Sequence, residues 1–199
     1  MSFLEADAVL GARGRRQKRG HAGQTGQPGP RRREPWDRFA LRALLVLTLI
    51  LGSGAYVCDR FRLGIDDQDA LCLPPYRWYL IDTHDRAIGQ GELLAFAATE
   101  AMAPYFTPGQ TVIKRAAGVA GDRVQVTAIA TLVNGMLQPQ SALALAKTLG
   151  ETPEAFQREG FVVPAEQLWV MGETRDSFDS RYWGPLPMER VIGRAYALF

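Results

Sequence analysis

Residues 39–57 carry a single charge, Arg42, in a stretch of roughly 19 positions, close to the number an α-helix needs to cross a hydrocarbon core. Arg42 lies near enough to one end to snorkel toward the headgroups. A segment this apolar has few soluble solutions, and what precedes it narrows them further. Residues 1–42 hold ten Lys and Arg against four Asp and Glu, whereas the whole chain has a net charge of only +2. A basic leader ahead of an apolar run stays in the cytoplasm, so residues 58–199 are expected on the far side of the membrane. A cleaved signal peptide is the competing reading, since Ser53-Gly54-Ala55 supplies small residues for a cleavage site. The long leader and the length of the run favour an uncleaved anchor. The expected organisation is a basic arm over 1–35, an anchor over 36–57 and a periplasmic domain over 58–199.

The arm is Gly, Pro and Arg without apolar periodicity and reads as disordered. Its cations suit membrane topology better than a nucleic acid, and the remainder of the chain is net acidic, so no nucleic-acid partner is expected and inner-membrane lipid is. Two cysteines exclude a disulfide scaffold and a four-cysteine zinc ribbon, and two histidines leave little for a His-rich metal site. Neither a metal nor an organic cofactor is expected.

The outer domain reads as mainly β. Short runs rich in aromatic and β-branched residues recur at 76–81, 93–97, 111–115, 123–133, 167–171 and 191–198. Asn134-Gly135 between two such runs is a strong hairpin signal. Residues 141–157 break the pattern: Ala, Leu, Lys and Glu interrupted by Gly150 and Pro153 predict two short helices in a surface insertion spanning about 141–160. The Pro74-Pro75 pair marks a turn. The apolar stretch 101–106 reads either as core or as a membrane or substrate contact.

Three separated segments are rich in chemistry. Leu71-Cys72-Leu73-Pro74-Pro75-Tyr76 sets a thiol before a rigid turn. Lys114-Arg115-Ala116-Ala117-Gly118-Val119-Ala120-Gly121-Asp122 carries a lysine on an apolar run that closes in a glycine turn. Residues 172–185 gather Glu173, Thr174, Asp176, Ser177, Asp179, Ser180 and Arg181 ahead of Gly184-Pro185. A nucleophile, a base and a group that orients the base are all available, although spacing alone does not bring them together.

These segments resemble the boxes of the type I signal peptidases, in family order. The stretch from Lys114 to Asp122 is similar to the family's lysine box. Residues 172–184 are similar to its C-terminal Gly-Asp-Asn-Arg box, with Asp-Ser-Arg-Tyr-Trp-Gly kept at 179–184. The short domain and Cys-Leu-Pro at the nucleophile position look more like the signal peptidases of conjugative transfer systems (TraF-like). The resemblance implies a signal-peptidase-like β domain with a short helical insertion behind a single transmembrane helix. It also implies peptide hydrolysis by a Cys/Ser-Lys type dyad. The expected substrate is an exported precursor carrying a signal peptide, or a pro-pilin, cut after a small residue.

Three departures stand out. Cys72 replaces the nucleophilic Ser; Ala70 stands where housekeeping relatives place a hydroxyl for the oxyanion hole; and Glu173-Thr174 replace Asp-Asn in the third box. By the resemblance Cys72 is the nucleophile and Lys114 the base, with Ser177, Asp179, Arg181 and Arg115 supporting the site. A lysine acts as a base near neutrality only where an apolar setting favours its uncharged form, and Ile113, Ala116 and Ala117 offer one. A thiol needs less activation than a hydroxyl. Other readings stay open: a Cys58–Cys72 disulfide, Ser177 as a turn cap, Asp179 with Arg181 as a purely structural ion pair. An inactive anchored assembly factor and a cytosolic self-cleaving regulator are the rival functions, and the lysine box and the anchor respectively weigh against them.

Overall fold

The computed structural model describes residues 35–69 and 71–199. Apart from Pro35, the arm expected over 1–35 lies outside the described residues, as does Ala70. Helix α1 (Trp36–Arg60) has Asp37 in its first turn and Arg60 in its last, the arrangement the helix dipole favours. Its 25 residues, none of them buried, make a rod of about 38 Å, enough for a hydrocarbon core of about 30 Å. The helix runs on past the expected anchor to Arg60.

Beyond it the chain forms β1 (Phe61–Ile65), β2 (Trp78–Asp82), β3 (Leu93–Ala97), β4 (Thr111–Gly118), β5 (Arg123–Val126), β6 (Thr131–Val133), β7 (Met136–Leu137), β8 (Arg158–Val162), β9 (Gln167–Met171), the one-turn helix α2 (Ser180–Trp183), β10 (Leu186–Pro187) and β11 (Val191–Ala197). A seven-stranded sheet has the order β1-β2-β11-β3-β4-β9-β10, and a four-stranded sheet the order β7-β6-β5-β8. Neighbouring strands are antiparallel. The large sheet is covered on both faces: Leu94, Phe96, Val112, Ala116 and Trp169 join the main core, while Ala95, Ile81 and Ala195 form a smaller cluster. Burial on both faces explains why β3 and β9 read as apolar runs without alternation.

The hairpin at Asn134-Gly135 joins β6 to β7, with Val133 opposite Met136 and both turn residues at positive φ. The run 123–133 is two strands rather than one, because Thr127 turns the chain by donating its N–H and hydroxyl to the Ala130 carbonyl. The two short helices expected over 141–157 are replaced by turns and one 3₁₀ turn, Pro153–Phe156. Gly150 at φ 78 and Pro153 leave segments too short to pass helix nucleation. Residues 158–160 begin β8 instead, which pairs with β5. Strands β1, β8 and β10 carry no signal of their own and form by pairing with stronger neighbours. In the stretch 101–106, Met102 and Phe106 are core.

Candidate active site

Cys72 sits at the start of the turn predicted by Pro74-Pro75, closed by the Tyr76 N–H on the Leu73 carbonyl and anchored by the buried Leu73 side chain. The Cys72 carbonyl accepts the Glu173 N–H at 2.8 Å. Its thiol is half-buried and donates to Gln68 Oε1 at 3.5 Å. Both cysteines are free thiols in this structure, not joined to each other.

Lys114 lies on β4, where alternation sends Val112, Lys114 and Ala116 into the main core. Its side chain is completely buried, and its Nζ donates to Ser177 Oγ at 2.7 Å. The Phe106 ring centroid lies 6.0 Å from that nitrogen. Among the described residues no carboxylate forms an ion pair with Lys114. Ser177, itself buried, therefore meets the lysine and is more than a turn cap. Cys72 and Lys114 are not hydrogen-bonded to each other; the Cys72 carbonyl and Ser177, the hydrogen-bond partner of Lys114, converge on Gly172. A Cβ at Gly172 would overlap Ser177 Oγ and stand 3.0 Å from the Cys72 carbonyl oxygen, so only glycine permits the approach.

Asp179 and Arg181 form a wholly buried ion pair, with Arg181 Nε 2.7 Å from Asp179 Oδ1 and Nη2 2.8 Å from Oδ2. The pair also clamps the loop that carries Ser177. Arg181 donates to the carbonyls of Ser177, Gln140 and Ala142, and Asp179 accepts the N–H groups of Gly172 and Arg181. The pair thereby ties the Ser177 carbonyl and the Gly172 N–H to one another.

Arg115, one residue along β4, projects from the opposite face to Lys114. It pairs with Glu173 and donates to the Gly91 carbonyl at 2.6 Å. Because the Glu173 N–H holds the Cys72 carbonyl, Arg115 reaches the site through Glu173 and the backbone of Cys72. In the sequence Glu173 stands out only as a departure from the third box, and no motif marks Gln68, yet both contact Cys72.

Two clefts meet at the thiol. One, of about 220 Å³, runs along β1 and β4 past Leu63, Gly64, Ile65 and Ile113; the other, of about 280 Å³, is bounded by Tyr105, Leu145, Thr174, Asp176 and Phe178. Gln68, Cys72 and Phe106 line both, so a peptide laid from one cleft into the other crosses the thiol. Beneath the turn, burial first and then the nearby Asp66 carboxylate push the Tyr79 phenol up to about 12, and it stays a donor to the Tyr76 carbonyl. Among the described residues no group of three or more His, Cys, Asp or Glu is placed to hold a metal ion.

Over 112 residues the chain is 35% identical to "Probable signal peptidase I-2" of Synechocystis sp., covering 55% of this chain and 47% of that protein. Over 84 residues it is 37% identical to "Probable conjugal transfer protein TraF" of Sinorhizobium fredii, covering 42% and 43% of the two. The chain thus spans about half the length of the curated relatives it matches. A crystal structure of a signal peptidase I from Enterococcus faecalis V583 is matched at 24% identity and a TM-score of 0.33, over 56% of this chain and 96% of that one. Residues 42–199 match the family described as "Signal peptidase, peptidase S26". That stretch includes both sheets, the three boxes and most of α1, and the chain belongs to the signal peptidase (peptidase S26) family.

Proposed function

We propose that this chain is an inner-membrane endopeptidase, anchored by α1 with residues 58–199 in the periplasm, that cleaves an exported precursor after a small residue. Cys72 is the nucleophile, Lys114 the base and Ser177 the group that orients the lysine. The observation that carries the reading is a completely buried amine whose hydrogen-bond partner is the Ser177 hydroxyl, with Phe106 beside the amine and Asp176 and Phe178 beside the serine lining a cleft together with the Cys72 thiol. A lysine kept only for stability would be expected at the surface or paired with a carboxylate.

The chemistry follows from the residues. Lys114 takes the thiol proton as the sulfur attacks the scissile carbonyl, and its ammonium then protonates the departing amine. Water attacks the resulting thioester, again giving its proton to Lys114, and as the C–S bond breaks the new carboxyl end leaves and the sulfur takes that proton back from the lysine. Ser177 keeps the amine aimed forward, and the Asp179–Arg181 clamp keeps Ser177 in place. The relative named as a conjugal transfer protein supports a conjugation component, pilin among them, as the precursor.

The rival reading, an inactive assembly factor, draws on one observation: the thiol bonds to Gln68 and the amine to Ser177 rather than to each other. Co-expression with candidate pilin precursors decides between them, with precursor length read by mass. Cys72→Ala and Lys114→Ala should each abolish cleavage, and the double variant should be no worse than either. Cleavage at the wild-type rate in either single variant would refute the dyad. Cys72→Ser should retain partial activity.

A further inference from the structure

The oxyanion hole is the unexplained part of this site. Resemblance places a hydroxyl donor two residues before the nucleophile, and in this sequence that position is Ala70, whose methyl group donates nothing. An enzyme that forms a tetrahedral intermediate without a second donor gives up a large share of its rate.

We propose, on the reading of Cys72 as nucleophile, that the side-chain amide of Gln68 is the missing oxyanion donor. Gln68 is the residue the thiol touches, through its Oε1 at 3.5 Å. It also lines both clefts, together with Cys72 and Phe106, and so faces the point at which a scissile carbonyl would cross. Its backbone is secured: the Gln68 N–H donates to Asp66 Oδ1 at 3.1 Å, and Arg77 Nη1 donates to the carbonyls of Gln68 and Asp66. Arg77 is tied in turn to the end of the chain by its N–H on the Phe199 carbonyl. A long polar side chain on a pinned backbone can turn its amide without moving its base.

The carboxamide suits the task because it carries both an acceptor and donors. In the resting site its oxygen accepts the S–H. Once the proton has passed to Lys114, that oxygen would face a negative sulfur, and rotation of the amide presents N–H instead. As the C–S bond forms, the carbonyl π electrons move onto oxygen, and the N–H of Gln68 donates to it. When the intermediate collapses, those electrons reform the C=O, the C–N bond breaks, and the Lys114 ammonium supplies the amine's proton. The interaction is stronger in the transition state than in the resting site, which is the condition for a rate effect.

The test uses the full-length protein in detergent micelles with Cys58→Ser, so that Cys72 is the single thiol. The probe is an acetylated peptide aldehyde with alanine at its last and third-last positions. The thiol adds across the aldehyde C=O to give a tetrahedral hemithioacetal, and protection of Cys72 from iodoacetamide measures its Kd. Iodoacetamide itself reacts by displacement and forms no oxyanion, so its rate without the aldehyde reads thiol reactivity separately. Gln68→Met keeps the length and loses the donor; Gln68→Ala guards against a poor fit of methionine.

Both variants should weaken the aldehyde by about 10²-fold or more, well beyond any change in the iodoacetamide rate. Unchanged aldehyde Kd in the two variants would overturn the role of Gln68 while leaving the peptidase reading standing. A loss of aldehyde affinity matched by an equal loss of alkylation rate would also overturn it, since Gln68 would then act on the thiol alone. A wild-type Cys72 that alkylates normally but is never protected by the aldehyde would remove the peptidase reading, and the inference with it.

Discussion

Lys114 shows how one buried polar side chain organises its surroundings. Its amine gains one hydrogen bond, from which the geometry of Ser177 follows, and Ser177 has room only because residue 172 is glycine. Gly172→Ala would press a methyl group onto Ser177 Oγ and against the Cys72 carbonyl, and backbone cannot yield as a flexible side chain can. Precursor cleavage should therefore vanish in Gly172→Ala, with a drop in thermal midpoint. Ser177→Ala is the milder change. It leaves the amine without its partner, at a cost of about 1–3 kcal/mol, and should slow cleavage about 10²-fold, the low end of what a positioned base contributes. Urea denaturation and single-turnover cleavage measure the two effects. A Gly172→Ala enzyme of wild-type activity would show that the contact is not needed.

At the scale of elements, the loop 172–179 is held by Phe178 in the core and by a buried ion pair. Asp179 caps α2 and shares its other oxygen with the Gly172 N–H, while Arg181 spans to the insertion. Removing one member of a fully buried pair strands the other, so Asp179→Ala should destabilise the domain by about 3–5 kcal/mol. The effect should be visible as a lowered urea midpoint and loss of cleavage together.

A second ionic contact joins α1 to β2. The Arg60 guanidinium donates to both oxygens of Asp82 and, helped by the His84 N–H and opposed by burial, holds that carboxyl below the usual carboxylate range. The native state then binds fewer protons than the unfolded chain as acid is added. The contribution is present above the ordinary carboxylate pKa of about 4 and is lost as pH falls through the lower native value. Asp82→Asn should accordingly show a smaller fall in urea midpoint than wild type between about pH 5 and pH 2. An identical acid limb in both proteins would count against the contact.

For the molecule as a whole, the proposed orientation rests on the distribution of charge about α1. With six excess positive charges in residues 1–42, a reporter active only in the periplasm should be active when fused after Phe199. Activity of a cytoplasmic reporter at the same place would reverse the topology and undermine the peptidase reading. The fold itself tolerates little ambiguity in register. Lys114 opposite Leu94 faces the core, and a slip of one residue would exchange it with Arg115.

Local chemistry was enough to determine the apolar helix, the hairpin at Asn134-Gly135 and the central strands 93–97 and 167–171, because each carries its signal within a few neighbouring residues, whereas the three boxes were legible through their resemblance to a family. The ends of β4, the division at Thr127 and the strands β1, β8 and β10 depended on partners distant in sequence, whose pairing outweighs weak local propensity. The insertion went the same way: residues with helical preference yielded to turns and to the pairing of β8 with β5, since segments broken by Gly150 and Pro153 are too short to form helices unaided. Within the site, box positions named Lys114, Ser177, Asp179 and Arg181. Only the tertiary structure decided that Lys114 and Arg115, adjacent on one strand, serve opposite faces, and that Gly172, Glu173 and Gln68 are the contacts of Cys72. Those contacts join residues far apart in the chain or unmarked by any motif, and nothing in a linear pattern records which side chains the closing of a sheet will bring together.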